Sequence, residues 1–118
     1  MSTKMSFYLS AQSLNSSFYT DAVNLEKAKG CSFQVEITAD GNQIGTLAVE
    51  VSNDGDNWVT KPMYNASTGA VSSTVAISTT TQYSLMFELN NTSARLARLA
   101  WVSTSGTGTA VISAVRRS

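Results

Sequence analysis

The chain has 118 residues, a size for one domain that buries about two-thirds of its unfolded surface, and its eight basic and eight acidic side chains cancel. Balanced charge gives no bulk pull toward nucleic acid. With no histidine and a single cysteine, Cys31, the chain cannot build Ser-His-Asp or Cys-His catalysis, a Cys/His zinc site or an internal disulfide.

The 18 serines and 14 threonines stand where long helices would carry Lys and Glu, so strands are predicted throughout. Residues 1–16 read as a polar, weakly patterned N-terminal arm, with one strand candidate at Phe7–Ala11, and residues 17–118 as the folded domain. The arm is expected to order on binding and clasp a neighbour. Residues 1–9 are too short and polar for a signal core, and no apolar run reaches the roughly 18 residues of a membrane span.

Ser17–Thr20 is a short strand, and Asn24–Lys29 holds one turn that Asn24 caps and Gly30 ends. Cys31–Thr38 alternates, with Phe33, Val35 and Ile37 on one face; Cys31 is expected as a buried, inert thiol. Thr46–Ser52 alternates again, and the two strands around Asp40-Gly-Asn42 are expected to form a hairpin. Trp58 and Val59 resume after the turn Asn53-Asp-Gly-Asp-Asn57, and Pro62 interrupts regular pairing. Val71–Ile77, Tyr83–Leu89, Leu96–Val102 and Thr109–Arg116 complete the strands, the last two joined by a Gly106-Thr-Gly108 hairpin loop. The expected fold is all-β: a single-domain antiparallel β-sandwich, jelly-roll or Ig-like.

The turn at 53–57 is the densest group of oxygen ligands. Asp54 and Asp56 are the calcium candidates, but a helix–loop–helix calcium loop would place Trp58 and Asn65 where it needs ligands. Asn53, Asp54 and Gly55 suit the positive φ of a hairpin turn, which would drop Trp58 onto the core edge. Leu96–Val102 is apolar on both faces, which fits a central strand or a subunit contact, and it makes Trp101 and Arg98 interface candidates.

Gln34–Ile37, Gly45–Trp58 and Arg95–Thr109, taken in order, resemble a group of small structural proteins of tailed and other bacteriophages. In that group a GTL-x-V-x-x-SNDG-x-NW hairpin precedes an R-x-x-Y/W…SGTGT hairpin in one β-sandwich. The resemblance spans residues 17–116; its penultimate-strand aromatic is Trp101, here among alanines. It implies a non-enzymatic virion protein, assembled in the host cytoplasm, that decorates and stabilises the capsid. The partners implied are the major capsid protein or other virion proteins, with a homo-oligomer, a trimer favoured, and no cofactor, nucleic acid or membrane. The alternative is a carbohydrate- or receptor-binding module of a tail or spike, with Trp58 and Tyr64 against the ligand. A hydrolase would need a carboxylate pair across a cleft, Glu36 with Glu50.

Overall fold

The computed structural model describes residues 3–26, 28, 30–39, 41–66, 69–90 and 94–117, with the backbone alone for 3–11, 90 and 117. Twelve strands form, and no helix appears among the described residues: β1 (Thr3–Ser13), β2 (Phe18–Tyr19), β3 (Val23–Asn24), β4 (Gly30–Ala39), β5 (Gln43–Ser52), β6 (Val59–Lys61), β7 (Met63–Asn65), β8 (Val71–Ser72), β9 (Val75–Thr79), β10 (Gln82–Asn90), β11 (Leu96–Ser105) and β12 (Gly108–Arg117). The turn at Asn24 is there: its Oδ1 accepts the Glu26 N–H at 2.9 Å.

Two antiparallel sheets pack face to face. The first runs β1-β12-β4-β10-β7-β8; the second runs β2-β11-β5-β6, with β3 also on β11 and β9 also on β5. Leaving aside the short β6–β8 excursion and counting β2 and β3, which both pair with β11, as one strand, the first sheet takes the first, last, third and sixth of eight main strands. The second takes the second, seventh, fourth and fifth. That is the strand order of a jelly roll, so of the two expected sandwich topologies the jelly roll is the one that forms.

The core lies between the inward rows. Phe33, Val35 and Ile37 of β4, Leu85, Phe87 and Leu89 of β10, and Ile112 of β12 meet Leu47, Val49, Leu99 and Trp101 from the other sheet, all at most 2% exposed. Cys31 joins this core, and burial pushes its thiol pKa up to about 12. Gly45 makes room for the Trp101 ring: a Cβ there would collide with the ring and with the Val102 carbonyl.

Three expectations about connections are corrected. β4 and β5 are not a hairpin: they lie in different sheets, because both inward rows need burial and find it by facing each other, and of the turn expected between them Asp40 lies outside the described residues. Gly106-Thr-Gly108 is a corner between the sheets, from β11 to β12, with Gly106 at φ 94° and no space for a Cβ beside the Asn42 carbonyl. The segment expected as a loose arm is strand β1, paired antiparallel with β12 from Thr3↔Arg117 to Ser13↔Thr109. Its polarity hid it, since an edge strand needs few apolar side chains.

The link from β1 to β2 is firmly seated. Leu14 is buried, and its carbonyl accepts from Trp101 Nε1 at 3.1 Å and from the buried Gln43 Nε2 at 3.4 Å. Ser17 Oγ accepts the Ser103 N–H at 2.9 Å.

Candidate binding surface

β11 and β5 put side chains alternately into the core and onto the outer face of the second sheet. Ala97, Leu99 and Trp101 point in; Arg98, Ala100 and Val102 point out. In the register Arg98 lies opposite Glu50, and Ala100 lies opposite both Ala48 on β5 and Tyr19 on β2. Arg98 donates from Nε to Glu50 Oε1 at 2.8 Å, and its Nη2 is 2.8 Å from the same oxygen. Both side chains are only 19% exposed.

The guanidinium also touches two rings. Its Cζ lies 3.8 Å from the Tyr19 ring centre and 4.0 Å from that of Trp58. A cation against an aromatic face gains roughly 0.5–2 kcal/mol, more as water is excluded. Two rings and a carboxylate therefore hold Arg98 in one conformation, and Tyr19 remains 61% exposed beside it.

Trp58 reaches this cluster because of the turn before it. β5 and β6 are a true hairpin, Val51 opposite Val59, closed by residues 53–58. Asp54 Oδ1 accepts the N–H groups of Asp56 at 2.9 Å and Asn57 at 2.8 Å and the Ser52 hydroxyl at 3.0 Å, while Oδ2 accepts Asn57 Nδ2 at 2.8 Å. Those bonds, the Asn57 N–H first, hold the Asp54 carboxyl well below the usual carboxylate range. Gly55 takes φ 81°, and its carbonyl accepts Trp58 Nε1 at 3.1 Å. Arg95 ties the far side, donating its N–H to Asn53 Oδ1 at 3.0 Å and pairing with Glu26 at 2.8 Å.

The calcium candidates read differently against this geometry. Asp54 turns both oxygens to donors of its own loop, and among the described residues no three His, Cys, Asp or Glu side chains gather in a metal-binding group. The shallow depression beside the turn, about 290 Å³, is lined by Val51, Ser52, Asn53, Asp54, Asn57, Val59 and Ala94.

The interface candidates are sorted by burial. Arg98 and Trp58 come together on one face. Trp101 does not join them: it is 1% exposed and belongs to the core, because its phase on β11 is opposite to that of Arg98. Tyr64 is 40% exposed but sits on β7 in the first sheet, whereas Trp58 belongs to the hairpin of β5 and β6 in the second. Pro62, between β6 and β7, marks where the chain changes sheet. Glu36 and Glu50 lie on the outer faces of different sheets with the core between them, so they cannot flank one cleft. Glu36 instead accepts from the Ser84 hydroxyl and, at 2.8 Å, from Gln34 Nε2, bonds that lower its pKa in that order.

No family model matches the chain, and no curated protein sequence matches it. Among solved structures it is similar to the crystal structure of the SPBc2 prophage-derived protein YomS, with a TM-score of 0.65 and 9% identity over 98% of this chain and 96% of that one. That likeness shows the fold. A chain from a structure described as "CBM4 structure and function" aligns more loosely, with a TM-score of 0.47 and 14% identity over 94% of this chain and 73% of that one.

Proposed function

We propose that the chain is a non-enzymatic structural protein of a bacteriophage virion, which binds the outside of the capsid and reinforces it. The observation that carries this reading is the end-to-end similarity in fold to a prophage-derived protein, covering 98% of one chain and 96% of the other. The outer face of the second sheet supplies the docking surface. Tyr, Trp and Arg dominate binding hot spots because they bring large contact area at little entropic cost, and here Tyr19, Trp58 and Arg98 are already locked together. The partner is the major capsid protein or another virion protein. Each copy bound to assembled capsid, and not to its free subunits, raises particle stability by mass action.

The test is whether the protein travels with virions purified through a density gradient and is reached by antibody on intact particles. Wild type bound at fixed stoichiometry, with Tyr19→Ala and Arg98→Ala variants left in the supernatant, supports the reading. Wild type absent from the particles overturns it. A carbohydrate- or receptor-binding role on a tail or spike is the second reading, favoured by the exposed Tyr19 ring. It predicts a change in Trp58 fluorescence on titration with host surface glycans, whereas capsid docking predicts none.

A further inference from the structure

Most of the sheet edges in this molecule are short. The first sheet ends on β8, with two residues; the second ends on β2 and β3, with two each, and on β6 and β9, with three and five. Short edges offer few unpaired N–H and C=O groups and so resist pairing with other chains. β1 is the exception. It is an 11-residue edge strand with β12 on one side, and among the described residues no strand lies on the other. Its sequence, TKMSFYLSAQS, carries one charge, Lys4, and no proline, so of the usual protections against pairing it keeps mainly the irregularity at its two register shifts against β12.

The sequence of β1 is also matched to itself. Turned antiparallel about Tyr8, it sets Thr3 against Ser13, Lys4 against Gln12, Met5 against Ala11, Ser6 against Ser10 and Phe7 against Leu9. By residue type the pairs are Thr with Ser, Ser with Ser, Met with Ala, Phe with Leu and Lys with Gln, so no like charges are opposed. The register shifts against β12 fall between Met5 and Phe7 and between Leu9 and Gln12, one on each side of Phe7–Leu9. A two-fold axis at Tyr8 therefore sets the regular middle of one strand against the regular middle of the other.

We infer that β1 is a self-association edge: a second copy of this chain lays its own β1 antiparallel along it about a two-fold axis near Tyr8, joining two six-stranded sheets into one. The contact closes on itself, and the two-residue β8 at the far edge stops further growth. The product is a dimer, where the resemblance favours a trimer. The inference is independent of whether the chain joins a virion.

Position 8 tests it, because a residue on the axis meets its own copy. Tyr8→Lys and Tyr8→Glu each oppose like charges and are expected to weaken the dimer roughly fivefold or more in sedimentation equilibrium, more so at low salt. Mixing the two variants in equal amounts is expected to restore the dimer as a Lys–Glu heterodimer. Unchanged Trp fluorescence and far-UV circular dichroism certify that each variant is folded. A monomeric wild type at every accessible concentration overturns the inference, and so does a mixture that dimerises no better than its components. If the wild type is monomeric yet the variants lose virion binding, the edge serves a capsid partner and self-pairing is wrong.

Discussion

Arg98 and Glu50 face each other from β11 and β5, and two guanidinium nitrogens converge on one carboxylate oxygen at 2.8 Å. At 19% exposure on each side, neither charge is well hydrated, and Tyr19 and Trp58 cover the guanidinium. Removing one partner leaves the other charge half-desolvated and alone. Arg98→Ala is therefore expected to cost about 1–3 kcal/mol in denaturant unfolding, through the ion pair and the two ring contacts together. Glu50→Ala is expected to cost less, since the rings still hold Arg98. The double variant is expected to fall short of the sum, and that shortfall measures the coupling.

Asp54 makes folding sensitive to acid. Its folded pKa is held below the unfolded value by the loop's own donors. A depressed carboxyl pKa contributes stability that is fully present above the unfolded value. That stability is lost as pH falls through about 4 toward the lower folded pKa. Asp54→Asn is expected to be less stable than wild type at neutral pH, with the gap narrowing below about pH 4 as the wild-type carboxylate protonates. Denaturant midpoints across that range check it. The same variant is expected to shift Trp58 emission, because the turn that aims the indole loosens.

How much of this was legible in the sequence depends on the distance between partners. The alternation of Phe33, Val35 and Ile37 and of Leu47 and Val49 marked β4 and β5 correctly, because burial on one face has a period of two. The turn residues between β4 and β5 did not reveal that the two strands part into different sheets, since a hairpin and a sheet-to-sheet connection use the same residue types. The turn at Asn53–Asn57 was readable as a turn, and Trp58 as the residue it places. Tyr19 went unnoticed: its ring finds Arg98, 79 positions along the chain, through a pairing that no local pattern encodes. The same holds for β1, whose partner is the last strand. Trp101 was left between core strand and interface because both faces of β11 are apolar; its burial bears out the core strand, and the interface candidacy falls away.

That register makes a prediction at Gly45. A methyl group there meets the Trp101 ring, which is held by the Leu14 carbonyl, and the Val102 carbonyl, which is fixed in the sheet. Neither can yield freely. Gly45→Ala is expected to destabilise the fold by about 1–3 kcal/mol, as overpacking does in a close-packed core. Thermal unfolding checks it, and a neutral result would mean that β5 and β11 can slide apart locally.

Tyr19 separates folding from binding. It is 61% exposed on the two-residue strand β2, and its ring contributes one face to Arg98. Tyr19→Ala removes that contact and little else, so a loss of about 0.5–1 kcal/mol in stability is expected. A hot-spot residue truncated in a docking surface costs about 2 kcal/mol or more of binding energy. The two numbers are far enough apart to be told from each other by chemical denaturation and a virion-binding isotherm on the same preparation. A variant that loses both in proportion would make Tyr19 a folding residue and move the docking surface elsewhere. A variant that keeps its stability and loses the virion fixes the outer face of β2, β11 and β5 as the contact.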